Sequence, residues 1–458
     1  MAETRQLAEF ACGLRLVECP IFAVDQAKRC IMETLGCALA GSRTPLAAAA
    51  VRSVRRQGES GGATVIGLGL RAAPDRAAFI NGVSANALDY DGGIVRQGHY
   101  GPTAVASALA VGELVGAGGR QFLEAVIVAY EVVSRIGQAI RASEAQSRLV
   151  SGYGPHQGFA SVAAAGRLLG LTVDQMVHAF GIYGAFAPLP SAKQWNWDNR
   201  PLSWTKDMVA WPSMVGINAA LLAESGFLGP STILEGEKGF FRMAGSDQYS
   251  PETLIAGLGK QFNILRVYFK PYPCCRWIHA ALDGVGEILQ RHGWKEAEVE
   301  RVEIGVAQEV LADLNDYSPQ NLVDAEFSMP FAVALVLLGV SVGPRWHDPA
   351  LIHSPRVLAT MRKVTLRVDP EMQRLFTDKR AVGAVVRIFG IGSALETVRV
   401  DCARGSEERP MSDTELEAKF RLLAAEAISE GSAEKAIALI NDLEHAANLT
   451  ELGHLLTA

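Results

Sequence analysis

The chain has 458 residues, of which 49% are apolar and 20% charged, with a formal net charge of −6. That length exceeds the size at which a single hydrophobic core stops growing, and the composition excludes a disordered or low-complexity polymer. The negative balance disfavours nucleic acid and anionic membrane as partners, so an anionic substrate must be drawn in by a local cluster of Lys, Arg or His.

The sequence opens MAETRQLAEFACGL, without the basic segment and apolar run of a signal peptide, and the expectation is a cytoplasmic protein. The longest apolar stretch, around 331–342, contains Gly and falls short of the roughly 18–20 residues that span a bilayer.

From about 6 to 260, Ala, Leu, Val and Gly recur at helical spacing between Gly and Pro turns. The pattern predicts a helix over 25–40 with Asp25 as N-cap, one over 103–115 opened by Thr103, one over 161–170, and another starting near Thr172. A further helix follows the 204–211 segment and ends near Gly226. Near Phe262 the pattern changes. Alternating residues at 300–306, 363–368 and 383–389 predict strands of one sheet, with helices at 278–292 and 329–338 between them. Helical spacing returns at 412–430, behind an N-cap signal, and at 433–456. The expected fold is mainly α with an inserted α/β domain: a helical domain over 1–265 plus 398–458, and a smaller α/β unit over 266–397.

Seven cysteines scattered along the chain read as small buried hydrophobes, Cys30 and Cys37 among them, and the adjacent Cys274 and Cys275 stand apart. No C-x-x-C occurs, and His178, His279 and His347 lack zinc-type spacing, so no metal is expected. Gly67 and Gly69 lack the third glycine of a dinucleotide fingerprint, and neither a P-loop nor a nucleophile elbow is present. Side-chain acid/base chemistry without a cofactor is left.

Four segments hold groups suited to it. Asp89 and Asp91 precede a Gly-rich connection to His99, which lies just before an Ala-rich helix whose N-terminus favours anions; the same groups would equally make a solvated acidic turn. Lys270, Cys274, Cys275 and Arg276 crowd a Pro-rich, aromatic junction, where Arg can fork onto a carboxylate and a desolvated Lys can act as a base, or where the chain merely makes a rigid turn. Lys206 beside Asp207 either points a cation into a cleft or forms a surface ion pair, and the neighbouring aromatics Trp195, Trp197 and Trp204 suit a substrate lid. Tyr153 and His156 sit in a Gly-rich loop that also fits a tight turn.

These blocks, in this order, resemble the MmgE/PrpD family of lyases and isomerases. The likeness runs over nearly the whole chain, through 88–91 (LDYD), 163–171 (AAAGRLLGL), 226–230 (GFLGP), 270–276 (KPYPCCR) and 327–331 (FSMPF). It implies a homodimer in which each subunit pairs a helical domain with an α/β lid, an active site between them, and no metal or organic cofactor. It places the family's acid on Asp89, its His on His99, and its two lysines on Lys206 and Lys270. The chain departs from the pattern at Gly92 and Gly93, where Asp and Thr are usual. It departs again at Ser151, where a His is usual although His156 lies five residues on, at Phe331 in place of Tyr, and at Cys275, where the family's decarboxylases carry His. Family reactions pass through a carbanion or enolate next to a carboxylate, which needs a base, an acid and cations. The resemblance therefore implies a dehydratase-type lyase of a small polycarboxylate, with an epimerase of an iminodisuccinate-like dicarboxylate or a non-catalytic member as alternatives. Lys270, His99 and Tyr153 would exchange the proton, and Asp89 would orient His99 or raise its basicity. Lys206, Arg276, His156, Cys275 and Trp204 would contact substrate.

Overall fold

A computed structural model describes residues 3–58, 61–151, 154–205, 209–392 and 394–457. The principal helices of the first half are α1 (Ile21–Gly41), α2 (Pro74–Asn86), α3 (Gly101–Val115), α4 (Gly119–Ala139), α5 (Gly154–Leu169), α6 (Val173–Phe186) and α7 (Trp211–Glu224). Their small residues let them approach closely: a Cβ on Gly216 of α7 would lie 2.7 Å from the Gly158 carbonyl oxygen of α5. Any side chain at 216 would push the two helices apart.

Next come α8 (His279–His292), β1 (Val299–Val306), α9 (Gln308–Leu314), α10 (Met329–Leu337), β2 (Val364–Val368), α11 (Pro370–Lys379), β3 (Ala384–Gly390) and β4 (Leu395–Val400). The sheet order is β2-β1-β3-β4. Strands β1 and β2 run parallel, with Val302 opposite Val364, while β3 is antiparallel to both β1 and β4. A parallel pair needs a covered crossover, and the chain from 307 to 363, including α9 and α10, supplies it. The long apolar stretch of the sequence forms α10, a buried helix of nine residues. Among the described residues no helix is long and apolar enough to cross a membrane. The chain closes with α12 (Asp413–Ala424) and α13 (Glu430–Asn441).

Buried side chains form two large cores. One joins residues between Leu7 and Phe269 to residues between Met411 and Leu456. The other runs from Cys274 to Ala403 and takes in Leu202. The fold is mainly helical with an α+β unit, as the spacing predicts. A small third cluster of Cys37, Ala40, Leu88, Tyr90 and Leu423 lies under the acid-bearing segment after α2. Beside it, Lys419 of α12 donates to the Tyr90 carbonyl oxygen at 2.7 Å and pairs with Glu33 of α1 at 2.7 Å, both side chains buried.

Several predicted boundaries move. Helix α1 starts four residues before Asp25, behind Pro20, and Asp25 lies exposed inside it. Thr103 lies within α3, which starts at Gly101 with Pro102 in its first turn; its hydroxyl donates to the Tyr100 carbonyl. The 161–170 segment is the second half of α5. The predicted 412–430 helix ends at Ala424, though Ser412 caps it in a capping box with Glu415, a feature worth about 1 kcal/mol. The 433–456 segment breaks into α13 and short helical turns, because Asp442 and Asn448 engage nearby groups on the chain and offer the backbone local alternatives. Strand β4 has no counterpart among the predicted elements. All seven cysteines are free thiols.

Candidate active site

The segment 87–100, between α2 and α3, is held where its backbone approaches that of 268–270. Gly93 and Tyr268 exchange N–H···O bonds of 3.2 and 2.9 Å. A Cβ on Gly92 would lie 2.3 Å from the Tyr268 carbonyl oxygen, which is why no larger residue fits there. Asp89 adopts a left-handed backbone conformation with φ of 42°, uncommon outside Gly, Asn and Asp.

Four titratable groups converge. Asp89 and Lys270 are fully buried, and Lys270 Nζ lies 3.0 Å from Asp89 Oδ2 while donating to the Asp89 carbonyl oxygen at 2.6 Å. His99, whose side chain is 12% exposed, sets Nδ1 3.0 Å from Asp91 Oδ2 and Nε2 3.8 Å from Asp89 Oδ1. Asn86 donates to the other Asp91 oxygen at 2.9 Å, and Gln157 of α5 accepts from the His99 backbone N–H at 3.1 Å. An ionised Asp91 only accepts, so it sets Nδ1 as the protonated nitrogen and turns Nε2 toward Asp89. Burial acts to lower the His99 pKa, but Asp91, with Asp89 behind it, outweighs burial and the Lys270 charge and raises it above its ordinary value.

Asp89, His99 and Lys270 line a cavity of about 730 Å³ between the two cores. Its far wall comes from the α+β unit, through Glu309, Asp313, Phe327 and Phe376. The volume lies within the range of about 300–1,000 Å³ common for small-molecule sites.

The other predicted contacts distribute unevenly. His156 and Cys275 line the cavity. His156 is buried and its Nε2 lies 3.0 Å from the Gln97 carbonyl oxygen and 3.3 Å from Tyr100 Oη. Arg276 reaches the wall, but Nη1 donates to the Arg404 carbonyl at 2.7 Å and Nη2 to the Ala403 carbonyl at 3.0 Å, with the guanidinium over the Tyr268 ring. Its fork thus braces the chain entering α12 where a carboxylate clamp was expected. Trp204 is 49% exposed and does not line the cavity; Trp197, from the same aromatic segment, does. Tyr153 and Lys206 lie outside the described residues. The orienting hydrogen bond expected from Asp89 to His99 is made by Asp91, because Asp89 turns its carboxylate toward Lys270.

Asp91, Asn86, Gln157 and Tyr268 were not singled out for these places. Asp91 stood in plain view two residues from Asp89, while Gln157 and Tyr268 carry no short-range signal. The fold also gathers Asp89, Asp91 and His99 so that one ligand atom of each lies within 4.8 Å of the others, a cluster that linear spacing of His and Cys does not disclose. The donors suit a divalent cation, but the Lys270 ammonium already stands against Asp89 and supplies the positive charge there.

A helical body with an α+β unit, and an acid/base cluster walling a cavity between their cores, defines the class. The chain belongs to the MmgE/PrpD family: the family's N-terminal domain matches residues 5–252 and its C-terminal domain 272–445. It is similar to a cis-aconitate decarboxylase-like protein of Aspergillus oryzae, 24% identical over 98% of this chain and 96% of that protein. It is also similar to the cis-aconitate decarboxylases of Aspergillus terreus (25% identical; 99% and 95%) and Homo sapiens (26%; 99% and 94%).

Proposed function

We propose that the protein is a cofactor-independent lyase of dehydratase type, acting on a small polycarboxylate through a carbanion next to a carboxylate. The observation that carries this reading is one carboxylate, Asp89, standing between His99 Nε2 and Lys270 Nζ on a cavity wall. In this reading His99, its Nδ1–H held by Asp91, takes the proton from the carbon next to a substrate carboxylate. The electron pair moves into that carboxylate, giving an enediolate beside the Lys270 ammonium. As the pair returns to form the carbon–carbon double bond, hydroxide leaves the neighbouring carbon and departs as water with the Lys270 proton. Asp89 positions the ammonium and offsets its charge; Asp91 positions the imidazole and stabilises the imidazolium.

The similarity to decarboxylases supports a lyase. Cys275 on the cavity wall, where a decarboxylase-type site would have His, favours elimination over loss of carbon dioxide. His156 and Cys275 shape the wall, the family pattern adds Lys206, and Tyr153 of the Gly-rich loop is a further proton carrier. A second reading, epimerisation of an iminodisuccinate-like dicarboxylate, draws on the same two proton carriers, one returning a proton to the face opposite the one attacked.

Incubation in deuterium oxide with a panel of di- and tricarboxylates tests both. A lyase places solvent-derived label next to a carboxylate and yields an unsaturated product; an epimerase gives label without elimination. Binding with no label in any member of the panel would make the protein a non-catalytic member and overturn the proposal. We further infer a homodimer formed through the helical domain, 1–265 plus 398–458, with 266–397 as its lid. A monomer by light scattering at micromolar concentration would refute that assembly.

A further inference from the structure

Around the corner from His99 and Lys270 the cavity wall changes character. Arg96, Arg141 and Arg380 line it and also line an adjoining cavity of about 310 Å³, whose wall adds Arg266. Arg96 lies over the Phe376 ring at 4.5 Å, and both Arg96 and Arg380 hold left-handed backbone conformations, with φ of 59° and 54°. Such strain persists where surrounding structure over-determines it, most often at ligand sites. Among the described residues no carboxylate forms an ion pair with Arg141, Arg266 or Arg380, and the buried Nε of Arg141 has no hydrogen-bond partner. Burial, with the like charges of Arg380, Arg96 and Arg266, pushes the Arg141 guanidinium below its ordinary range.

Three acids share the smaller cavity. Asp401 is held by Arg399 at 2.6 Å and Glu408 accepts from Cys402 Sγ at 3.0 Å, leaving Glu407 as the third. Arg96, Arg141 and Arg266 are half-buried and Arg380 is exposed beside them, so an anion entering this space would meet several guanidiniums at once. In a chain of net charge −6 such a concentration is local by construction.

We propose that Arg96, Arg141, Arg266 and Arg380 form a second anion subsite, which takes a carboxylate or phosphate at the end of the substrate remote from the carbon that loses its proton. The substrate class is then an elongated polyanion with two separated acidic ends, one at Lys270 and His99 and one among the arginines. This rests on the reading of the larger cavity as the substrate site. Planar guanidinium forks bind both carboxylate and phosphate oxygens in pairs, so the shared chemistry is a multi-oxygen anion.

Isothermal titration of the full chain with inorganic pyrophosphate in one arm and tricarballylate in the other tests it, since neither probe needs turnover. Saturable, salt-weakened binding of either probe, one per chain, is expected, and which arm binds identifies phosphate or carboxylate as the preferred end. Arg141→Gln combined with Arg380→Gln should weaken that binding at least about tenfold, whereas Lys270→Met should leave pyrophosphate binding within about twofold. Arg266→Gln alone, should the double variant fail to fold, must weaken it several-fold. Binding of neither probe to the unaltered chain, or binding that ignores the arginine substitutions, would overturn the subsite. Absence of solvent exchange into any carboxylate by the unaltered chain, with pyrophosphate binding intact, would instead defeat only the catalytic reading.

Discussion

His99 Nδ1 lies 3.0 Å from Asp91 Oδ2, so the residue that sets the imidazole's tautomer is the second acid of the 89–91 segment and not the first. The first acid is thereby free to hold Lys270 at 3.0 Å. Two carboxylates two residues apart thus pair with two different cationic or imidazole side chains, with a left-handed backbone turn at Asp89.

Replacing His99 by Gln should slow solvent exchange into substrate by about a hundredfold or more, the usual size of a general acid/base contribution. Lys270→Met should abolish it. Both variants should keep the far-ultraviolet circular dichroism of the parent. Exchange at parental rates in either one removes that residue from the proton path.

The pH profile follows from His99. Its pKa is raised above the ordinary value, so the neutral form that accepts a proton appears only as pH climbs through that raised value. kcat/KM should therefore rise along a limb above pH 6.5. Asp91→Asn removes the main raising charge and should shift the limb to lower pH while cutting kcat by about 10²–10⁴-fold. A limb that stays in place would show that another group titrates there.

A chelator should leave activity and thermal midpoint unchanged. The trio of Asp89, Asp91 and His99 has the right donors, but Lys270 already places a positive charge against Asp89, and a divalent cation in the same space would be repelled by it. Stoichiometric bound metal by elemental analysis, with activity lost on its removal, would contradict this.

The pair of Lys419 and Glu33 is buried on both sides and also holds the Tyr90 carbonyl oxygen. Lys419→Met leaves Glu33 as an uncompensated buried charge and should cost about 3–5 kcal/mol of stability, measured by chemical denaturation. Because Tyr90 separates Asp89 from Asp91, kcat should fall as well; a stable variant with full kcat would mean the brace is not coupled to the site.

Gly92→Ala is a small change with a large steric consequence, since the new methyl would meet the Tyr268 carbonyl oxygen at 2.3 Å. The 87–100 segment must then move away from 268–270, separating Asp89 from Lys270. Activity should drop by at least about tenfold, as expected when a reacting geometry loosens by an ångström. Parental activity would indicate that the two segments need not touch.

Periodicity along the chain was enough to read three of the four strands of the sheet, the helical body and the return of the last helices, since those patterns are local. The strand at Leu395–Val400 escaped because its buried and exposed positions depend on pairing with Ala384–Gly390, and the 433–456 segment looked continuous because a break by Asp442 and Asn448 costs little in pattern. Asp89, His99 and Lys270 could be picked out from residue types crowded at chain turns. Their pairing could not, for Asp91 and Asp89 are equivalent acids until the fold sets one against His99 and the other against Lys270.

Residue types and spacing, by themselves, determined that this chain folds as a helical body with an α+β insertion, and marked its Lys and Arg side chains as candidates to hold an anion. Only the tertiary structure decided which cations. Arg276, adjacent to the cysteine pair, turned out to brace carbonyls, and Arg96, Arg141, Arg266 and Arg380, drawn from segments up to 284 residues apart in the chain, came to share one space. The physical reason is range: helix and strand formation are decided over a few residues, whereas a charge cluster is set by long-range packing that brings distant loops to one wall.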